Sequence, residues 1–82
     1  MMTVILLDPA VAAMRKHRNM AERIAGKLAA YAEKPASVAN QVTELRGVPF
    51  KRLRVGDFRI LFEETETEII VSDIGPRGSI YK

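Results

Sequence analysis

The strongest constraint on how this chain folds is the dipeptide Gly56-Asp57, which separates two runs of alternating apolar and charged residues. A glycine at the first of two central positions is typical of a type II′ turn, which joins two antiparallel strands. Such a short turn also sets the register of the two strands. It predicts that Val55 pairs with Phe58 and that Arg54 pairs with Arg59. Leu53 then lies opposite Ile60, and Arg52 lies opposite Leu61.

The two faces of this predicted hairpin differ in character, because successive residues of a strand point to opposite sides. On the charged face, Arg54 and Arg59 are directly opposed like charges, which destabilise a sheet by about 0.2–1 kcal/mol per pair. An anion between them would relieve the repulsion, and phosphate suits the planar guanidinium fork best. The open alternative is a solvated face whose arginines pair with the glutamates of residues 63–68. The apolar face comprises Leu53, Val55, Phe58, Ile60 and Phe62, and the charged face Phe50, Arg52, Arg54, Arg59, Leu61 and Glu63.

The N-terminal half is predicted to hold one strand and two helices. Thr3–Leu7 is short, apolar and rich in β-branched residues, as buried strands are. Asp8 is the expected N-cap of a first helix, Pro9–Lys16, which has proline at its first position. Asn19, with a glutamate three residues later in capping-box spacing, begins a second helix that ends at Pro35. Its apolar stripe consists of Met20, Ile24, Leu28 and Tyr31.

The C-terminal half is predicted to be mainly β-structure. Residues 36–48 have weak helical character and are expected to form a loop in part. The chain is therefore one α+β domain, residues 1–82, in the order β-α-α-β-β-β, with a two-helix hairpin packed on one face of a small antiparallel sheet. The later strands are Phe50–Val55, Phe58–Glu63 and Glu68–Ile74, with a possible short strand at Ser79–Lys82.

Composition excludes several kinds of site. The chain has no cysteine and one histidine, His17, so disulfides, thiolate metal sites and Ser-His-Asp triads are not expected. The apolar run near the N-terminus is stopped by Asp8-Pro9 and is too short for a signal peptide or a membrane span, which predicts a cytoplasmic protein without a membrane partner. A net charge of +3 permits a nucleic-acid partner without requiring one.

Residues 45–81 resemble the RelE/ParE toxin superfamily, and a looser likeness in layout extends to residue 3. The family's members are toxins of bacterial type II toxin–antitoxin pairs with a β-α-α-β-β-β fold. The resemblance therefore implies the fold predicted above and a cognate antitoxin as partner. The matching segments are Leu45-Arg46-Gly47, Leu53 to Phe62 (LRVGDFRILF), Ile69–Val71, Ile74-Gly75-Pro76-Arg77 and Tyr81.

For the RelE-like branch, the resemblance implies an mRNA endoribonuclease that acts in the ribosomal A site without a metal or other cofactor. The RNA 2′-hydroxyl attacks the adjacent phosphate and leaves a 2′,3′-cyclic phosphate and a 5′-hydroxyl. Arg59 and Arg54 are the expected stabilisers of the crowded phosphate. Arg77 matches the position near the leaving oxygen, and Tyr81 matches a tyrosine that orients the 2′-hydroxyl or stacks on a base. The residues expected to bind RNA phosphates are Arg52, Lys51 and Arg54.

Two departures from the family pattern keep other functions open. Many members have histidine where this chain has Pro76, and RelE-like enzymes have two lysines where it has Phe50 and Arg52. Arginine is not deprotonated in proteins, so Arg52 cannot act as a general base. One alternative is a ParE-like inhibitor of DNA gyrase that is not a nuclease. The other is a catalytically weak module that binds RNA or antitoxin.

Overall fold

The structure, a computed structural model that describes residues 2–76, is a five-stranded sheet with two helices packed against it. It confirms the α+β class and adds a 3-10 helix and a short strand where the sequence indicated a partial loop. Arg77, Tyr81 and the strand predicted at Ser79–Lys82 lie outside the described residues. The elements are β1 (Thr3–Leu6), α1 (Asp8–Lys16), α2 (Arg18–Glu33), a 3-10 helix (Pro35–Gln41), β2 (Val42–Glu44), β3 (Lys51–Val55), β4 (Phe58–Glu64) and β5 (Glu68–Pro76).

The sheet is mixed, whereas the sequence predicted antiparallel pairing alone. Its strand order is β1-β5-β4-β3-β2, and the four strands from β2 to β5 pair antiparallel. β1 runs parallel to β5, from Thr3 opposite Glu68 to Leu6 opposite Val71. A parallel neighbour requires a long crossover connection, which the two helices and the rest of the chain provide. Alternation of apolar residues marks a strand but does not reveal the direction of its partner.

The β3–β4 hairpin has the register that its turn predicts. Val55 lies opposite Phe58, and Arg54 lies opposite Arg59. Gly56 has a φ of +59°, and no residue other than glycine has a positive φ within residues 2–76. A positive φ at the first central position alone is the pattern of a type II′ turn. The predicted turn and pairing are therefore confirmed.

The hydrophobic core lies between α2 and the face of the sheet that the hairpin pattern assigned to it. The predicted stripe of α2 is buried, from Met20 to Tyr31, and the ring of Tyr31 meets that of Phe62 edge-on with centroids 5.3 Å apart. Phe58 is half-buried at the margin and meets His17 edge-on at 4.8 Å. The buried strand residues are Leu53, Val55, Ile60, Phe62, Ile69, Val71 and Ile74.

The helix starts differ from the predicted caps. The N-cap of α1 is Leu7, which places Asp8 in the first turn, where its charge complements the helix dipole. The N-cap of α2 is His17, and the capping box predicted at Asn19 does not form. His17 alone separates α1 from α2, so the chain has no room for a separate cap there. No helix within residues 2–76 combines the length and apolar character needed to span a bilayer.

Candidate anion-binding site on the arginine face

Three of the predicted site residues, Arg52, Arg54 and Arg59, line one small pocket on the sheet face away from the core. The pocket has a volume of about 130 Å³, which is room for about four water molecules at about 30 Å³ each. We call it the arginine pocket. Its other lining residues are Asn40, Gln41 and Thr43.

Strand register brings these side chains together. Arg52 and Arg54 are two residues apart on β3 and therefore point to the same side. Arg59 on β4 lies opposite Arg54, and Thr43 on β2 lies opposite Arg52. One wall of the pocket is thus assembled from three neighbouring strands by backbone pairing alone.

The guanidinium of Arg59 is held close to the hairpin turn. It donates to the carbonyl oxygen of Phe58 at 3.2 Å and, more weakly, to that of Gly56 at 3.5 Å. Arg59 is half-buried, whereas Arg54 is exposed. Neither arginine forms a salt bridge with a carboxylate of residues 2–76, so for these two the glutamate-pairing alternative is not supported. Their charge remains available to an anion.

Lys51 is not brought to the arginine pocket. It lies on the helix-facing side of β3, where its Nζ is 2.9 Å from Oε1 of Glu64. The same ammonium is 3.4 Å from the hydroxyl of Tyr31, and that hydroxyl donates a hydrogen bond to Glu64. We call these three residues the polar cluster. The phosphate-binding role predicted for Lys51 would require it to leave this cluster.

The contacts in the polar cluster favour the charged forms of Lys51 and Glu64 and the neutral form of Tyr31. The hydrogen bond to Glu64 raises the pKa of Lys51 above its ordinary value despite burial. Burial raises the pKa of Tyr31, and the bond to Glu64 raises it further. Burial alone would raise the pKa of Glu64, but hydrogen bonds from Tyr31 and Lys51 outweigh it and lower that pKa. Lys51 therefore stays positive, Glu64 negative and Tyr31 neutral at pH 7.

A larger groove of about 500 Å³ opens beside the polar cluster, between the 3-10 helix and β2. Its walls include Tyr31, Lys51 and Glu44, together with small apolar residues such as Ala36 and Ala39. Its lining has one acidic side chain, Glu44, and one basic side chain, Lys51, and Lys51 is already paired with Glu64. The arginine pocket is therefore the better candidate for an anion.

Asn40, Gln41 and Thr43 also line the arginine pocket, but the sequence did not predict them as candidate site residues. They lie at the end of the 3-10 helix and on a three-residue strand, elements too short to produce a periodic pattern. Gln41 is fixed by a long-range contact, since the Nζ of Lys27 on α2 donates to its Oε1 at 3.2 Å. No local sequence signal identifies that contact.

The arginine pocket is suited to binding and charge stabilisation. Three guanidinium groups can donate to the oxygens of a tetrahedral anion and stabilise negative charge that develops on it. Its lining residues within 2–76 are arginines, amides and a hydroxyl, and they include no carboxylate or imidazole. Within the same residues, no three histidine, cysteine, aspartate or glutamate side chains are grouped so as to hold a metal ion.

Several proteins of known structure share the fold of this chain. No family model and no curated protein matches this sequence. A chain of the intact E. coli RelBE toxin–antitoxin complex is 21% identical over 93% of this chain and 96% of that chain, with a TM-score of 0.74. A chain of the archaeal RelE–RelB complex from Pyrococcus horikoshii OT3 is 20% identical over 95% and 97%, with a TM-score of 0.77. YafQ from E. coli strain BL21(DE3) is 10% identical over 100% of both chains, with a TM-score of 0.67. The chain has the RelE-like fold, which confirms the predicted resemblance at the level of fold.

Proposed function

We propose that this protein is the toxin of a type II toxin–antitoxin system and acts in the cytoplasm as a ribosome-dependent mRNA endoribonuclease that needs no metal. The observation that carries the proposal is the convergence of Arg52, Arg54 and Arg59 in one pocket of about 130 Å³. Two structures with this fold are toxin–antitoxin complexes, which supports a cognate antitoxin as partner. An antitoxin segment that is acidic and partly disordered would complement the arginine face.

The proposed reaction transfers one phosphoryl group within the RNA. The 2′-hydroxyl oxygen forms a bond to the adjacent phosphorus, the bond to the 5′-oxygen breaks, and the proton lost by the 2′-hydroxyl is balanced by one gained at the 5′-oxygen. Arg54 and Arg59 donate to the non-bridging oxygens, whose charge rises in the transition state. Arg77 is proposed to stabilise the leaving oxygen and Tyr81 to orient the 2′-hydroxyl.

The proposal is tested by primer extension on mRNA from translating ribosomes incubated with the purified protein. Arg59→Ala is expected to reduce the cleavage rate by about 10²–10³-fold, the usual cost of removing one preorganised donor to developing charge. Its fold should persist, because Arg59 is not part of the core. Arg15→Ala is the matched control, since Arg15 is an exposed arginine in the last turn of α1.

Two results would contradict the proposal. Inhibition of DNA supercoiling without mRNA cleavage would identify a gyrase inhibitor. Growth inhibition that survives both Arg59→Ala and Tyr81→Phe would identify a module that acts by binding alone.

A further inference from the structure

A β-bulge interrupts the pairing of β4 with β5 and changes which side chains of β5 reach the arginine face. Leu61 of β4 lies opposite Asp73, and the next residue along β4 lies opposite Val71. Ser72 is therefore an extra residue on β5. Strict alternation would place Val71 and Ile74, three residues apart, on opposite faces of the sheet, yet both are buried in the core. The bulge returns Ile74 to the core and thereby turns Asp73 to the other face. Bulges that re-aim a side chain in this way are frequent next to active sites.

Asp73 shares the face of the sheet that carries the arginine pocket. Its partner Leu61 also lies opposite Arg52, and the next position along this face pairs Arg59 with Gly75. Asp73 is thus the diagonal neighbour of Arg59, a relation that separates the two residues by about 7–8 Å. Gly75 contributes no side chain to the space between them. A substrate whose phosphate is bound by Arg59 therefore has a carboxylate beside it on β5.

The carboxylate of Asp73 is oriented but has no cationic partner in the described part of the chain. Its Oδ1 accepts a hydrogen bond from the backbone N–H of Ile74 at 2.8 Å. Within residues 2–76 it forms no salt bridge, and its second oxygen accepts no hydrogen bond. The lining of the arginine pocket includes no carboxylate or imidazole. Asp73 supplies the kind of proton acceptor that this lining lacks.

We propose that Asp73 is the general base of the nuclease reaction and takes the proton of the 2′-hydroxyl next to the phosphate held by Arg54 and Arg59. The second oxygen of Asp73 receives this proton as the 2′-oxygen bonds to phosphorus and the bond from phosphorus to the 5′-oxygen breaks. The 5′-oxygen takes a proton from water, and the proton on Asp73 then neutralises the hydroxide that remains. This assignment deepens the proposed function and rests on it.

The test compares Asp73→Asn with the wild type in single-turnover cleavage of a defined mRNA on ribosomes, with the protein in excess. Asparagine keeps a side-chain oxygen for the N–H of Ile74 but does not act as a base, so the variant should fold. Its saturating cleavage rate should be lower by about 10²–10⁴-fold, the usual contribution of a positioned general base.

Binding is measured separately, by co-sedimentation with ribosomes whose mRNA has a 2′-deoxynucleotide at the cleavage site and so cannot be cleaved. Asp73→Asn should not weaken this binding, because it removes a negative charge beside a phosphate. A general base therefore predicts a loss of rate without a loss of affinity.

Two further variants serve as controls. Asp73→Glu keeps a carboxylate and should cleave faster than Asp73→Asn. Glu63→Gln removes a half-buried carboxylate from the same face, four residues from Arg59 and thus about 13–14 Å away along β4. It should cleave at the wild-type rate.

The outcomes distinguish this inference from the proposed function. Cleavage by Asp73→Asn at the wild-type rate would overturn the general base and leave the nuclease function standing. A loss of ribosome binding as large as the loss of rate would also overturn it, because Asp73 would then be needed for binding or folding. A wild-type protein that cleaves no mRNA on ribosomes would overturn both.

Discussion

The two faces of the β3–β4 hairpin differ in whether their cationic side chains have a carboxylate partner. On the helix-facing side, Lys51 forms a 2.9 Å ion pair with Glu64, and Tyr31 completes the polar cluster. On the other side, Arg54 and Arg59 lie opposite each other without a carboxylate partner in residues 2–76. The difference arises from alternation along the strand, which determines what each cation can reach. The helix-facing lysine is paired within the fold, whereas neither Arg54 nor Arg59 has a carboxylate partner within residues 2–76.

The two faces also differ in what a substitution should cost. The apolar core residues on the helix-facing side are buried, so loss of one of those side chains leaves a cavity. The arginine face is half-exposed, and the repulsion between Arg54 and Arg59 destabilises the fold only weakly. Three substitutions test this contrast, from the largest expected effect to the smallest.

Truncation of the core face should have the largest effect. Phe62 is fully buried and packs edge-on against Tyr31, so Phe62→Ala is expected to lower the free energy of unfolding by about 3–5 kcal/mol. Leu61→Ala is the matched control, one residue away on the opposite face and only half-buried. It should cost about 1 kcal/mol, less than full burial of a leucine provides. Urea unfolding measures both, and equal losses would break the contrast between the faces.

The ion pair in the polar cluster should make stability depend on acid pH. Because the folded pKa of Glu64 is lowered, its contribution is complete above the unfolded pKa of about 4.3 and is lost as the pH falls through the folded pKa. Glu64→Gln should therefore lower the free energy of unfolding at pH 7 by about 1 kcal/mol, and its difference from wild type should shrink as the pH falls through the lowered folded pKa of Glu64.

Lys51 and Tyr31 should make stability decline at alkaline pH. Their raised pKa values mean that their contribution to stability is present below the unfolded pKa values and declines as the pH rises through the folded ones.

Glu63→Gln is the control for the Glu64→Gln prediction at acid pH, since Glu63 is the adjacent residue on the other face. It should change the free energy of unfolding by less than about 0.5 kcal/mol. A pH-independent loss in Glu64→Gln would show that the ion pair does not stabilise the fold.

Replacement of Arg54, which lies opposite Arg59, should have the smallest effect on stability. Whether the variant is more or less stable than wild type should depend on the buffer. In dilute chloride, Arg54→Gln is expected to stabilise the protein by about 0.2–1 kcal/mol because it relieves the repulsion with Arg59. In phosphate, the wild type should gain more stability than the variant, since a ligand of the folded state stabilises it by mass action. Thermal unfolding in both buffers measures this, and an equal response to phosphate would argue against an anion site at this pair.

Much of the fold was predictable because its signals are local. The turn at Gly56-Asp57 and the stripe from Met20 to Tyr31 depend on residues a few positions apart, and both are confirmed. The wrong predictions concern helix caps and strand direction. Asn19 has a capping sequence but lies inside α2, because tertiary packing leaves only His17 between the helices.

The candidate site was predictable only in part. Arg52, Arg54 and Arg59 share a face by register, and the structure places them in one pocket. Lys51 is predicted to bind phosphate with them, but its side chain is paired instead with Glu64, 13 residues away in the chain. Arg77 and Tyr81 remain predictions from the family resemblance.

The sequence by itself determined the hairpin, the opposed arginines and the apolar face of α2, because turn chemistry and periodicity act over short stretches of chain. Only the tertiary structure decided that β1 runs parallel to β5, that Lys51 belongs to the polar cluster, and that Gln41 joins the arginine pocket. These features depend on contacts between residues that are distant in the chain, and such contacts leave no periodic pattern in the sequence.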